Sequence, residues 1–137
     1  MKAIFFLLSL LFSVGVLAQS EQLAQHYYDK GEFEKAKLSY EDLSKQQPTN
    51  GFYFSRLIES MQQLQQYDAA EVLLLNRSKV FKQAAILIEI GYNYQLKKED
   101  QKAKKFYEEA IASLDKNPNE IYSIAATFEK KVLVEYA

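Results

Sequence analysis

From residue 19 onward, apolar residues recur three and four apart, the spacing that places them on one face of an α-helix. They fall in paired segments. Leu23, Ala24 and Tyr27 are followed by Phe33, Ala36, Tyr40 and Leu43; Leu57, Ile58 and Met61 are followed by Tyr67, Ala70, Leu73 and Leu74. Polar breaks separate the segments. Gly31 suits the left-handed residue that closes a helix, and Pro48 and Pro118 each sit in a polar stretch where a helix cannot continue. The pattern predicts helices over residues 20–30, 33–46, 50–64, 67–79, 83–97, 100–116 and 119–131, and from 134 onward. No segment alternates with the period of a strand, so the expected class is all-α.

A longer period lies over the short one. Ala36, Ala70, Ala103 and Ala137 are 34, 33 and 34 residues apart. Three further columns keep step: Leu23, Leu57, Ile90, Ile124; Ala24, Ile58, Gly91, Ala125; and Tyr27, Met61, Tyr94, Phe128. A repeat near 34 residues at helical spacing marks an α-solenoid of antiparallel helix pairs. Two helices approach to about 8–10 Å only where small side chains meet. Ala24 and Gly91 are therefore expected to face Ala36 and Ala103, with Tyr27, Tyr40, Tyr94 and Tyr107 filling the space around them. Repeats of about 19–49, 50–82 and 83–118 follow, with an incomplete one at 119–137. Ala137 falls one turn into a second helix, so the expectation is an amino-terminal portion of a longer protein.

Residues 1–18 stand outside this scheme. Lys2 precedes a run of about 14 largely apolar residues from Ile4 to Leu17, short of the roughly 20 that cross a bilayer. Val16-Leu17-Ala18 then offers small side chains where a signal peptidase reads them, which predicts cleavage after Ala18 and export to the periplasm or medium. No stable membrane insertion is expected after cleavage. The chain has no Cys, which removes disulfides, thiolate metal sites and Cys nucleophiles together. It carries 17 basic and 18 acidic residues, interspersed rather than segregated. The one dense basic cluster, Lys102, Lys104 and Lys105, is followed at helical pair spacing by Glu108 and Glu109, as on a solvated face, and nucleic acid is not an expected partner.

The residues Leu23-Ala24-x-x-Tyr27, Gly31-x-Phe33, Ala36, Tyr40 and Pro48 resemble a tetratricopeptide repeat. Phe54, Leu57, Tyr67, Ala70 and Leu74 form a weaker second copy, with Ile58 where a small residue is usual. Gly91, Tyr94, Ala103, Tyr107 and Ala110 form a third, and Ile121 to Ala137 begin a fourth. The resemblance implies a right-handed solenoid of about three and a half repeats whose concave wall binds a peptide segment or helix of a partner protein. On that wall it places Glu21, Gln22, Gln25, Tyr28, Phe52, Ser55, Arg56, Glu59, Gln62, Gln63, Ile88, Glu89, Tyr92 and Gln95. The residues singled out for partner binding are Tyr28, Phe52, Arg56, Glu59, Tyr92 and Gln95: rings as rigid anchors, Arg56 as a carboxylate fork, and Gln95 as an adaptable hydrogen-bonder. Glu21 and Gln25 stand where family members that grip carboxylate termini carry Lys and Asn.

Catalytic signals are weak. His26 is the only histidine and has no nucleophile or second ligand near it in sequence, which suits a surface position. Glu108-Glu109 and Glu41-Asp42 diverge on a helix instead of sharing a site. No Gly-rich loop cradles a phosphate. The reading is a non-catalytic scaffold with no cofactor or metal, the alternative being an accessory module of a longer enzyme, envelope assembly factor or surface receptor. Mass spectrometry of the exported chain should find Gln19 at the amino terminus; a chain beginning at Met1 or Lys2 overturns the processing.

Overall fold

The computed structural model describes residues 18–114 and 121–132, all of them in helices or the short connections between them. The expected signal segment up to residue 17, the 115–120 connection and the helix expected from residue 134 lie outside the described residues. Seven helices are seen there: α1 (residues 18–29), α2 (Phe33–Gln46), α3 (Gly51–Gln63), α4 (Tyr67–Val80), α5 (Ala84–Leu96), α6 (Asp100–Leu114) and α7 (Ile121–Val132). The predicted span of α2 coincides with the observed one, and the others agree within one or two residues at the described ends. None of the described helices is long and apolar enough to cross a membrane. The chain divides into two compact units, Met1–Leu64 with α1 to α3 and Gln65–Ala137 with α4 to α7.

Helix ends follow the local sequence. Asn50 caps α3, its side-chain oxygen accepting from the backbone amides of Phe52 and Tyr53, which satisfies two donors that the first turn leaves without partners. Acidic residues open α2 and α4 (Glu34, Asp68) and basic ones close them (Lys45; Arg77, Lys79), as the helix dipole favours. The closures of the first helices are built alike. After α1, the Gly31 amide donates to the Tyr28 carbonyl and the Glu32 amide to the Tyr27 carbonyl; after α5, Lys98 donates to Gln95 and Glu99 to Tyr94. Both are Schellman closures, which need a left-handed residue. Positive φ occurs at Gly31 (73°), Gln65 (58°) and Lys98 (62°), spaced like the alanine ladder. Only the first of these three is a glycine.

In Met1–Leu64, Ala24, Ala36, Tyr40 and Ile58 are fully buried, with Leu43, Tyr53, Leu57 and Met61 close behind. Ala24 and Ala36, the small residues of the ladder, are thus both in the core. Leu23 does not: it is 50 % exposed, because its position on α1 points away from the packed stripe of Ala24 and Tyr27. Tyr53 is buried while Phe54, the residue of the repeat-like pattern, is only half-buried; α3 is rotated so that Tyr53 enters the core.

In Gln65–Ala137, α5 packs against α4, α6 and α7 and buries Ala84, Ile86, Ile88, Ile90, Gly91, Asn93 and Tyr94. A helix covered on so many sides has little room for a polar stripe. Asn93 is accommodated by donating to the Tyr67 carbonyl at 3.0 Å. Ile88, expected on an open wall, is fully buried for the same reason and anchors a cluster with Ala84, Ala110 and Ile124. Gly91 serves a different neighbour from the one expected. A methyl group there would lie 2.5 Å from Cε1 of Tyr107, so the missing side chain admits an aromatic ring as the nearest group rather than Ala103. Ala125, expected in the small core column, is exposed; α7 buries the stripe Ile124 and Lys131 and leaves the adjacent position in solvent.

Two substitutions at equivalent closures should act in opposite directions. Gly31→Ala forces a methyl-bearing residue into the left-handed region and is expected to cost about 1 kcal/mol. Lys98→Gly relieves the same strain and should gain up to about 1 kcal/mol, less whatever the Lys98 side chain contributes. Denaturant unfolding of the two variants measures both signs.

Candidate functional site

The residues singled out on α1 and α3 converge on one face of the first unit. On α1, Glu21, Gln25 and Tyr28 follow helical spacing and share a side, with Gln22, His26 and Asp29 beside them. On α3, the Asn50 cap starts the helix so that Phe52 and Tyr53 fall in its first turn. Between them lies an open cleft of about 590 Å³ lined by Ala18, Glu21, Gln22, Gln25, His26, Asp29 and Phe52. It offers two carboxylates, two side-chain amides, an imidazole and a phenyl ring.

Phe52 is 46 % exposed but not loose. Its ring lies edge-on to Tyr40 at 6.2 Å and to Tyr53 at 6.0 Å, and the Arg56 guanidinium approaches it at 5.3 Å. Such edge-to-face and cation–π contacts fix ring orientation. The hydroxyls beneath are anchored in turn. Tyr53 donates to Glu21 at 2.9 Å, and Tyr40 donates to Gln25 at 2.8 Å. Both α1 acceptors line the cleft, so its floor is tied to the core by two buried tyrosines.

Beside Phe52, Arg56 lies 4.3 Å over the Tyr28 ring and bonds to Glu59 at 2.8 Å. Tyr28 completes the group by donating to the same Glu59 carboxylate oxygen at 3.1 Å. Burial works against the Arg56 charge, but Glu59 and Tyr28 outweigh it and hold the group cationic. The Tyr28 hydroxyl is held above its ordinary value by burial first and by the Glu59 charge second, with Arg56 opposing. The geometry alters the expected role of Arg56. Its fork is engaged by Glu59, and its side chain is only 21 % exposed. Arg56 therefore works as a brace under Tyr28 and Phe52. Glu59 is buried with it.

Tyr92 and Gln95 lie in the second unit. Lys131 of α7, itself 5 % exposed, sits 5.5 Å over the Tyr92 ring and 3.3 Å from Glu89. Gln95 accepts a hydrogen bond from the Tyr107 hydroxyl at 2.9 Å. The chemistry of the first unit thus recurs: a cation held between a tyrosine ring and a carboxylate. A charge cluster elsewhere in this unit joins the α5–α6 turn to α4. Lys97 pairs with Asp68 at 2.7 Å, with Glu71 and with Glu99 at 3.3 Å, while Tyr94 donates to Glu71 at 2.8 Å. Burial and the Glu71 bond push the Tyr94 hydroxyl up to about 12.

Tyr40, Tyr53, His26 and Asp29 belong to the site but were not among the residues singled out. His26 and Asp29 carry no pattern beyond adjacency to α1's wall. Tyr53 could have been found by counting from the Asn50 cap, which puts residues 52 and 53 together in the first turn.

Burial pushes the Tyr40 hydroxyl up to about 12 from an ordinary 10.0. A group whose folded value is raised stabilises the fold fully below its unfolded value and loses that contribution as pH rises through the folded one. Tyr40→Phe should cost about 0.5–1.5 kcal/mol at neutral pH through the lost Gln25 bond. The stability gap to the parent chain should narrow as pH rises from 10.0 towards about 12, measured by urea unfolding across that range; a constant gap contradicts the assignment.

Set against protein-family models, curated proteins and solved structures, the chain matches none of them.

Proposed function

We propose that this chain is an exported, non-catalytic scaffold of tetratricopeptide-like helix pairs, a right-handed solenoid that holds a peptide segment or helix of a partner protein. The binding wall comprises Tyr28, Phe52, Arg56 and Glu59, with Tyr92 and Gln95 in the corresponding positions of Gln65–Ala137. The observation that carries the reading is Phe52, a phenyl ring nearly half in solvent at the rim of a cleft yet fixed by Tyr40, Tyr53 and Arg56. Rigid aromatic anchors of this kind lose little conformational freedom on binding and account for much of the affinity at protein interfaces.

Two further observations support it. Left-handed closures recur at residues 31, 65 and 98, as expected of stacked copies of one helix–turn–helix unit. The cationic group of the wall is neutralised from within by Glu59, so a partner meets a wall whose geometry is already set. Ordering costs on binding are then paid largely in advance.

The test is capture of exported proteins by the immobilised chain. Phe52→Ala alone should lower capture of the native partner by roughly tenfold or more while leaving the helical circular dichroism intact. Phe52→Ala combined with Arg56→Glu should abolish it. Undiminished capture by both variants would show that this face is not the binding site.

A further inference from the structure

Glu32, Glu34, Glu41 and Glu59 of the first unit each pair with a Lys or Arg three or four residues away. The two carboxylates of the Phe52 cleft, Glu21 and Asp29, have no Lys or Arg at those spacings. Leu17, Ala18, Ala24 and Gln25 stand there for Glu21, and Gln25, His26, Glu32 and Phe33 for Asp29. Among the described residues that line the cleft, only His26 can become cationic. Arg56 stands beside Phe52, but its charge is taken by Glu59. The cleft is therefore acidic, in a chain whose net charge is only −1.

Both carboxylates are held in position from the core. Tyr53 donates to Glu21 at 2.9 Å. Gln25 donates to Asp29 at 2.7 Å while accepting from Tyr40 at 2.8 Å. An ionised carboxylate can accept about four hydrogen bonds, so one internal donor leaves each with capacity for a ligand. The register of the walls is also fixed. Tyr53 meets Glu21 and Glu59 meets Tyr28, so α1 and α3 run side by side in the same direction, and Phe52 stands at the Glu21 end. Asp29 lies eight residues further along α1, about 12 Å at a rise of about 1.5 Å per residue.

We infer that this cleft selects a basic, extended segment of the partner. One Lys or Arg lays its stem on the Phe52 ring and its head at Glu21, and a second, four residues on, reaches Asp29. The inference rests on the proposed binding wall and names the chemistry of its occupant. An exposed ring beside a carboxylate suits a long cationic side chain, whose methylenes cover the ring while its head group stays polar. An extended chain advances about 3.3 Å per residue and returns to the same face at every second one. Residues four apart therefore share a face and span the interval between the two carboxylates. The cleft of about 590 Å³ takes a few side chains and one extended backbone rather than a helix about 10–12 Å across.

The probe is a short fluorescein-labelled Ser/Ala peptide with two lysines four residues apart, compared by fluorescence anisotropy with counterparts carrying norleucine or glutamate in their place. The lysine peptide should bind the exported chain roughly tenfold more tightly than either counterpart. Glu21→Gln and Asp29→Asn keep an oxygen for Tyr53 and Gln25 to donate to, so they remove charge and spare the fold. Each should weaken lysine-peptide binding by roughly two- to fivefold, whereas Asp42→Asn, the same change at an exposed position of α2, should leave it unaltered. The inference is overturned if lysine and norleucine peptides bind alike, if neither cleft variant weakens binding, or if Asp42→Asn weakens it equally. Equal binding of the two peptides that is lost with Phe52→Ala would keep the binding wall and remove only its preference for cations. Binding of no peptide also overturns that preference, and leaves the wall to the capture experiment.

Discussion

Close approach between packed helices is the constraint from which the rest follows. Helices pack tightly only where side chains are small enough to let their backbones near one another, and here that requirement is met by Ala24, Ala36, Ala70 and Ala103, each buried to within a few per cent. Gly91 goes further, since the space of its missing methyl is taken by the Tyr107 ring. Once pairs are drawn together at these points, the large residues on either side have nowhere to go but the remaining gaps. Tyr40 and Tyr94 end almost fully buried, and their hydroxyls must find acceptors there. They find Gln25 and Glu71.

Those buried hydroxyls link packing to the candidate site. A tyrosine whose ring fills the core and whose hydroxyl reaches a surface side chain fixes that side chain from below. Gln25 and Glu21 are held this way by Tyr40 and Tyr53, and both line the cleft beside Phe52. The charged groups are managed by the same economy. Arg56 and Lys131 each sit against a tyrosine ring and a carboxylate, an arrangement in which cation–π attraction and ion pairing together compensate for lost hydration. The two cations come from different helices, so the recurrence belongs to the surroundings of the face rather than to one repeated residue.

Much of the fold was legible in the chain because helix formation and pairing depend on short-range periodicity and on residue size. The span of α2, the breaks at Gly31 and Pro48 and the alanine ladder are all local properties. Errors arose where orientation about the helix axis mattered. Leu23 and Ala125 were read as core and are exposed, and Ile88 was read as open and is fully buried. Periodicity identifies a stripe, but a neighbour of the stripe is in or out according to how many helices press on that side. α5 meets three; the stripe model assumes one or two. The candidate face was legible in part. Tyr28, Phe52, Arg56 and Glu59, which the resemblance sets on one wall, do meet on one face, but the sequence does not show that Arg56 and Glu59 satisfy each other.

By itself, the sequence determined that the described residues are all-helical and, to within one or two residues, where their helices begin and end. These follow from hydrogen bonding within a turn, from capping residues and from side-chain volume, none of which needs a distant partner. The tertiary structure decided which charges are already paired and which rings are anchored. Tyr40 and Tyr107 hold the same place in the ladder, yet Tyr40 is sealed against Phe52 and Tyr53 of α3 while Tyr107 packs on Phe128 of α7. The difference lies in the neighbouring helix and its placement, a long-range contact on which local periodicity carries no information.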